Sequence, residues 1–215
     1  TDGLQRGVKC IDTGSPITIS SVNTINIFGN TYPAEKFYHN EDIHGLSSYV
    51  GCDLFALIGM DILRDIIFKI DLSNKIFYIF NDLEDTTINK KSHAKLKNGL
   101  LKISIGSNEV GAIIDTGAKI SYARRDLFNG YESFKSQNDF FPNFGEFMTP
   151  VYEISTKIFN EYVPFSFGVL PKLPTDLESQ LLSGQFRAII GSDIFSHYSL
   201  VFSYNQGKIY FEKTF

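Results

Sequence analysis

Cysteine, histidine and tryptophan are scarce in this chain of 215 residues, and their scarcity excludes several kinds of catalytic site. Tryptophan is absent, and the two cysteines, Cys10 and Cys52, do not occur at a metal-ligand spacing. Since free cysteine is commonly buried, we favour two buried free thiols over a disulfide. The four histidines are His39, His44, His93 and His197. None has a known catalytic spacing to a cysteine or serine, so we interpret them as structural or surface residues.

Charge is also limited: charged residues make up 20% of the chain, and the formal net charge is −4. This composition does not suit a nucleic-acid-binding protein, which needs clustered lysine and arginine. The longest apolar runs are about seven residues, far short of the roughly 20 that a membrane-spanning helix needs. No signal peptide is visible. Hydrophobic residues make up 43% of the chain, which is enough for a sizeable core.

One motif occurs twice, in the same context each time. The sequence CIDTGS at 10–15 corresponds to IIDTGA at 113–118. Each copy is followed by an apolar run that ends in Gly-x-Asp, namely ALIGMDIL at 56–63 and AIIGSDIF at 188–195. A single Asp-Thr-Gly is a weak motif, and two copies could mark nothing more than tight turns at the ends of strands. Their shared order favours a repeated functional unit.

The repeat divides the chain into two lobes, which we place at 1–81 and 99–215, with a polar linker at 82–98. The rest of the pattern predicts short strands and few helices. Hairpins are predicted over 21–38, 68–79 and 198–211, short helices at 61–66, 124–128 and 176–182, and a polar loop at 40–48. The second lobe is the longer one, and its additional residues are rich in aromatic side chains.

The chemistry of the motif follows from two carboxyl groups held at the tips of two strands. Glycine allows the backbone to turn tightly beside each aspartate. If Asp12 and Asp115 face each other, both cannot ionise easily, and the pair shares one proton. One carboxylate then accepts a proton from water while the other group donates one to a carbonyl oxygen. Such hydrolysis needs no covalent intermediate, metal or other cofactor.

With these motifs the sequence resembles the aspartic peptidase family, and its short halves resemble the retropepsin-like bacterial members. The resemblance covers both halves, although its specific motifs span about thirty residues. It implies a mostly β, bilobed acid-protease fold, in which two retropepsin-like lobes are related by a pseudo-two-fold axis, with few short helices. This would be a single-chain version of an enzyme that is normally a homodimer.

The resemblance also implies roles for individual residues. Asp12 and Asp115 would form the catalytic dyad. The side chains of Thr13 and Thr116 would lock the two loops together by reciprocal hydrogen bonds. The supporting loop residues would be Gly14, Ser15, Gly117 and Ala118, with the glycine N–H groups donating to the carboxylates.

Ser15 and Ala118 occupy equivalent positions, and their difference suggests a hypothesis about the dyad. A hydrogen bond from the Ser15 hydroxyl to Asp12 would favour the charged form of Asp12 and leave the proton on Asp115. The alternative is that Ser15 only stabilises its own turn. We interpret Asp61 and Asp193, in the two Gly-x-Asp segments, as structural residues.

A flap is expected over the cleft, and each lobe offers a candidate segment. The candidates in the first lobe are Phe28, Gly29 and Tyr32. Those in the second, longer segment are Phe141, Phe144, Phe147 and Met148. The same aromatic residues could equally be lobe core. Unequal flaps and a cleft that prefers hydrophobic side chains are predicted.

The function that we predict is that of an aspartic endopeptidase acting on a peptide or protein substrate. Two other interpretations stay open, a catalytically silent peptide-binding module of the same fold and a structural β protein with coincidental turns. A monomer is favoured over a homodimer. The acidic composition and the lack of thiol chemistry favour an exported protein.

Overall fold

The computed structural model describes residues 7–27, 29–38, 41–86, 88–89, 92–141, 145–169 and 186–214. Within these ranges the chain is mostly β-strand, with two short α-helices and four 3₁₀ turns. The predicted mostly β fold class with few short helices is confirmed. No helix in this part of the chain is long and apolar enough to cross a membrane.

The first half forms three small sheets. In chain order its strands are β1 (Val8–Ile11), β2 (Ile19–Ser20), β3 (Thr24–Ile27), β4 (Asn30–Pro33), β5 (Phe37–Tyr38), β6 (Glu41–Asp42) and β7 (Leu54–Ile58). β7 lies between β1, to which it is parallel, and β2, to which it is antiparallel. The predicted hairpin at Gly29 is present as β3 and β4, with Ile27 opposite Asn30. Because β1 and β7 are parallel, they end at the same edge of their sheet.

A polar loop was predicted at 40–48, but the described residues 41–48 do not form one. Residues 41–42 form β6, and 43–48 belong to helix α1 (Ile43–Val50), whose N-cap Asp42 accepts a hydrogen bond from the Gly45 N–H at 2.8 Å. The helix ends at Gly51, in the left-handed conformation with φ 74°. Its only buried residues are Ile43 and Leu46. The prediction was wrong because this helix has only eight residues, and Gly45, Ser47 and Ser48 are poor helix formers.

The second half forms a closed sheet. Its strands are β11 (Leu101–Ile105), β12 (Asn108–Ile114), β13 (Ser121–Ala123), β14 (Lys135–Phe141), β15 (Gly145–Ile158), β16 (Glu161–Val169) and β17 (Ala188–Ile190). Their order is β11-β12-β17-β13-β16-β15-β14, and β11 also pairs with β15. This pairing closes six strands into a barrel. β14 lies outside the ring and pairs with β15, its only neighbour among the described strands.

The closing hairpins of the two halves form one sheet. Its strands are β8 (Ile67–Asp71), β9 (Ile76–Phe80), β10 (His93–Lys95), β18 (Tyr198–Ser203) and β19 (Lys208–Lys213), in the order β10-β19-β18-β8-β9. Both predicted closing hairpins are present. β8 and β18 pair directly, and Phe68 stacks on Phe202 with ring centroids 4.7 Å apart. The large hydrophobic core therefore contains residues of both halves.

The remaining elements are short. They are α2 (Met60–Leu63) and the 3₁₀ turns Leu83–Asp85, Arg125–Phe128, Ser192–Ser196 and Tyr204–Gln206. The helices predicted at 61–66 and 124–128 thus correspond to α2 and to a 3₁₀ turn, while the one predicted at 176–182 lies outside the described residues. The proposed lobe and linker boundaries stay a prediction.

Candidate active site

Each Asp-Thr-Gly loop begins where a strand ends beside a parallel neighbour. β1 ends at Ile11, and the Asp12 N–H donates to the Ile58 carbonyl of β7 at 3.0 Å. β12 ends at Ile114, and the Asp115 N–H donates to the Ile190 carbonyl of β17 at 2.8 Å. These bonds to a parallel neighbour fix the end of each strand, so each aspartate leaves its sheet at a defined point.

The two loops are joined by their threonines. The Thr13 N–H donates to Thr116 Oγ1 and the Thr116 N–H donates to Thr13 Oγ1, both at 3.1 Å. Thr13 Oγ1 also donates to the Ile114 carbonyl and Thr116 Oγ1 to the Ile11 carbonyl, both at 2.6 Å. These are the reciprocal hydrogen bonds that the family resemblance implied. Each threonine side chain therefore binds the loop of the opposite half.

The carboxyl groups of Asp12 and Asp115 lie next to each other and are hydrogen-bonded to each other. Each also accepts two hydrogen bonds from its own loop. Asp12 Oδ1 accepts from the N–H groups of Gly14 at 2.8 Å and Ser15 at 3.0 Å. Asp115 Oδ1 accepts from those of Gly117 at 3.0 Å and Ala118 at 3.1 Å. The structure thus brings all eight residues of the two predicted loops together.

Glycine is required in both loops because each one packs against the opposite carboxyl group. A Cβ atom on Gly14 would lie 2.3 Å from Asp115 Cγ, and a Cβ atom on Gly117 would lie 2.5 Å from Asp12 Oδ2. Neither distance is compatible with a side chain. Any larger residue would push the two carboxyl groups apart.

Both carboxyl groups bind protons more tightly than an isolated aspartate. Each residue keeps some exposed surface, but the surrounding protein removes most of the solvation of its carboxyl group. Burial raises the pKa of Asp12. The hydrogen bonds from the Gly14 N–H and from Asp115 lower it, but by less. Burial and then the charge of Asp12 raise the pKa of Asp115 well above its usual range. The pair can therefore retain one shared proton at a pH where a solvated carboxyl group has lost it.

The hypothesis about the Ser15 hydroxyl is wrong as to its contact. Ser15 Oγ donates to the Ile17 carbonyl at 2.8 Å, and only the Ser15 backbone N–H reaches Asp12. The Ala118 N–H makes the same bond to Asp115, so a hydroxyl at this position creates no asymmetry in the dyad. Burial and the neighbouring charge of Asp12 raise the pKa of Asp115, and the assignment of the shared proton to Asp115 stays a prediction.

The aspartate of each Gly-x-Asp segment binds the chain that follows the Asp-Thr-Gly loop of its own half. Thr18 Oγ1 donates to Asp61 at 2.7 Å, and Ser121 Oγ donates to Asp193 at the same distance. The N–H groups of Gly59 and Gly191 donate back to these hydroxyl oxygens, each at 3.0 Å. These contacts support a structural role for both aspartates. Burial raises the pKa of Asp193 to about 6.

Thr18 and Ser121 were not identified from the sequence, although a signal was available. Both lie six positions after the aspartate of their motif, preceded by isoleucine. Aligning the two halves residue by residue would have shown a shared hydroxyl there. Tyr204 was also missed: its hydroxyl hydrogen-bonds the Thr13 side chain, and burial raises its pKa. No counterpart motif marks Tyr204, so the sequence offered no signal for it.

The flap candidates have different surroundings in the two halves. Gly29 is exposed at the turn of the β3–β4 hairpin, with φ +83°, and Tyr32 packs against the main core. In the second half Phe141 and Phe147 pack against a cluster built around Tyr122, while Met148 is 65% exposed. Phe28 and Phe144 lie outside the described residues. Tyr32, Phe141 and Phe147 thus pack against core clusters, and the role of all the candidates as flap residues stays a prediction.

The cysteines are both free, but only one is enclosed. Cys52 is exposed, so the expectation that both thiols are buried is wrong for this residue. Burial and then the charge of Asp12 raise the pKa of Cys10 to about 12, which makes its thiol a poor nucleophile. Across the described ranges, no group of three or more His, Cys, Asp or Glu residues is placed to hold a metal ion.

Similar chains occur among solved structures. Neither a family model nor a curated protein matches the chain. The solution structure of the Simian Foamy Virus (mac) protease is similar over 44% of this chain and 88% of the viral chain, with 16% identity and a TM-score of 0.32.

Proposed function

We propose that this chain is an aspartic endopeptidase that hydrolyses peptide bonds with water activated between Asp12 and Asp115. One observation carries the proposal: two Asp-Thr-Gly loops from opposite halves interlock through Thr13 and Thr116, with their carboxyl groups hydrogen-bonded to each other. If each Asp-Thr-Gly were only a turn at the end of a strand, it would not need to contact the second loop or to enclose two carboxyl groups side by side. Burial of two carboxyl groups side by side is unfavourable, and such groups are typical of functional sites.

The reaction uses the single proton that the pair shares. The ionised carboxylate accepts a proton from water as the water oxygen attacks the carbonyl carbon, and the protonated partner donates its proton to the carbonyl oxygen. The tetrahedral intermediate then breaks its C–N bond. The protonated carboxyl group gives its proton to the departing amine, and the ionised one takes a proton from a hydroxyl of the intermediate, which restores the shared proton. The loop N–H groups hold both carboxyl groups in place throughout, so little reorganisation is needed.

The two halves would act as a pseudo-dimer within one chain. Each supplies one strand end, one threonine and one carboxyl group, and the closing hairpins join the halves in a common sheet. The proposal places the substrate in the cleft between the two lobes. A preference for hydrophobic side chains is supported by Ile120, Phe141 and Phe147, which pack in one cluster beside Ala118.

The test is cleavage of a diverse peptide mixture between about pH 3 and 8, with products identified by mass spectrometry. Wild type should cleave, and Asp115→Asn should not. Asp53→Asn, at an exposed position, is the matched control and should cleave like wild type. Since both dyad pKa values are raised, activity should persist above the pH at which a solvated aspartate has lost its proton. Cleavage by Asp115→Asn at the wild-type rate, or no cleavage by wild type at any pH, would refute the proposal.

A further inference from the structure

One tyrosine of the second half contacts the Asp-Thr-Gly loop of the first half. Tyr204 begins the 3₁₀ turn between β18 and β19, and its hydroxyl hydrogen-bonds the Thr13 side chain. The residue is half-buried, and burial raises the pKa of its hydroxyl, so the phenol keeps its proton at neutral and acidic pH. Tyr204 is therefore a neutral group that has a proton to donate.

The other hydrogen bonds of the Thr13 hydroxyl decide which group donates in this contact. Thr13 Oγ1 uses its own proton in the 2.6 Å bond to the Ile114 carbonyl, and it accepts the Thr116 N–H at 3.1 Å. A hydroxyl group has one proton and two lone pairs, so one lone pair is left for a further donor. Tyr204 supplies that donor. The bonding capacity of the Thr13 hydroxyl is then completely used.

The Thr13 hydroxyl holds Asp115 from both sides. Its two backbone partners, Ile114 and Thr116, are the residues immediately before and after Asp115. A third bond, from Tyr204, restricts rotation of the Thr13 side chain, and hydrogen bonds in an enclosed network strengthen one another. Tyr204 therefore acts on Asp115 through Thr13.

The turn that carries Tyr204 is itself firmly held. The Tyr204 ring stacks on Phe202, with centroids 5.7 Å apart, and packs against the main core. The Gly207 N–H donates to the Tyr204 carbonyl at 3.0 Å, and the Gly207 carbonyl accepts from the Leu96 N–H at 2.7 Å. Gly207 ends the turn in the left-handed conformation, with φ 62°. These contacts present the tyrosine hydroxyl from a fixed position.

The corresponding position of the first half carries leucine. Tyr204 lies 13 positions after Gly191, and the same count from Gly59 leads to Leu72. Leu72 lies in the turn between β8 and β9 and is 53% exposed. Because leucine has no hydroxyl group, this position cannot supply the same bond to the opposite loop. The support is therefore one-sided.

We propose that Tyr204 is a positioning residue, which donates a hydrogen bond to Thr13 and thereby fixes the loop of Asp115. The loop of Asp12 lacks the equivalent bond from position 72, so the two loops differ in support. The catalytic meaning of this contact rests on the proposed function. Proton transfer needs the Asp115 carboxyl group in one geometry, and small displacements of a catalytic group are costly.

Hydrogen exchange of the substrate-free protein, followed by NMR, tests this role without reference to activity. Tyr204→Phe removes the hydroxyl group and keeps the ring, so the fold should be retained. Loss of one hydrogen bond should speed exchange of the Thr116 amide about two- to twelvefold, because this amide is bonded to Thr13 Oγ1. The Thr13 amide is bonded to Thr116 Oγ1 and should change less than half as much. Equal acceleration of both amides, or of neither, would overturn the proposal.

Tyr198→Phe is the matched control. Tyr198 is buried on β18, in the same hairpin, and its hydroxyl donates to Glu161 at 3.5 Å. The variant makes the same chemical change and should leave exchange of the Thr13 and Thr116 amides as in wild type. If Tyr198→Phe sped exchange at Thr116 as much as Tyr204→Phe does, the effect would be a general loss of stability, which would contradict the proposal.

Kinetics test the consequence for catalysis. A misplaced catalytic group lowers turnover more than substrate binding, so Tyr204→Phe should lower kcat about tenfold and leave KM within about twofold of wild type. Tyr198→Phe should keep the wild-type values of both. An unchanged kcat in Tyr204→Phe, or a KM that rises as much as kcat falls, would contradict a positioning role. If the wild type hydrolyses no peptide, the proposed function is refuted, and hydrogen exchange still decides whether Tyr204 fixes the Asp115 loop.

Discussion

The residues around the two Asp-Thr-Gly loops can be compared position by position. The threonine hydrogen bonds have equal lengths in both directions, and a hydroxyl group binds the Gly-x-Asp carboxylate at 2.7 Å in each half. Away from the loops the halves differ. The strands that carry the loops belong to a three-stranded sheet in the first half and to a closed barrel in the second. The halves are most alike around the two carboxyl groups, which indicates that the geometry of this pair constrains the sequence more than the architecture of each half does.

The threonine pair offers the largest expected loss of stability. Thr13→Ala or Thr116→Ala removes one donor and one acceptor and leaves a buried N–H and C=O unsatisfied, which should cost about 2–4 kcal/mol. Chemical denaturation should give similar values for both, with Thr13→Ala the larger because Tyr204 also binds Thr13. The corresponding serine variants keep the hydroxyl and should lose less than half as much. A small effect at only one position would show that the two loops are not equivalent.

The loop glycines should affect activity more than folding. Gly14→Ala and Gly117→Ala each place a methyl group against the opposite carboxyl group. Because misplacement by about 1 Å can cost roughly 100-fold, kcat/KM should fall by about that factor in both variants. Circular dichroism should show that the fold is kept. Wild-type activity in either variant would mean that the carboxyl groups need not be adjacent.

Asp193 should make the second half sensitive to pH. Burial raises its pKa to about 6 from the usual 3.8, so the folded state binds the proton more tightly than the unfolded chain. Its contribution is complete below the unfolded pKa and declines as pH rises from about 4 to 6, by about 1–3 kcal/mol. Asp193→Asn should flatten the decline in the free energy of unfolding across this window. An equally steep decline in the variant would contradict the assignment.

Removal of the N-cap of helix α1, which lies in the first half, should have the smallest effect on the free energy of unfolding. Asp42→Ala removes the side chain that accepts from the Gly45 N–H, so the free energy of unfolding should fall by about 1 kcal/mol. Exposed Asp53→Ala is the control and should stay within about 0.5 kcal/mol of wild type. Equal losses in both variants would mean that the cap contributes nothing specific.

The sequence allowed the loop residues to be predicted because their chemistry is local. In an Asp-Thr-Gly motif after an apolar strand, the aspartate carboxylate and the glycine N–H that binds it are only two residues apart. The repetition of the motif indicates that the two copies act together. The direction of the Ser15 hydroxyl could not be predicted in this way. The Ile17 carbonyl and the Asp12 carboxylate are both within two or three residues of Ser15, and only the path of the backbone decides between them.

The pairing of strands between the two halves and the presence of helix α1 could not be predicted from the sequence, for two other reasons. Alternating apolar residues predicted both closing hairpins, but such a pattern does not specify a partner strand, so the pairing of Leu200 with Ile70 could not be anticipated. In α1 the short polar residues around Gly45 resemble a loop. Only the cap and the two buried residues show that tertiary packing overrides that local preference.

The most direct test of the dyad is a double-mutant cycle on activity with Asp12→Asn, Asp115→Asn and the double variant. If the two carboxyl groups act as one unit, each single change should lower kcat/KM at least about 1000-fold, and the double change should lower it no further. Denaturation should show that the variants stay folded. A single variant that keeps more than a tenth of wild-type activity, or losses that add in the double variant, would contradict a shared dyad.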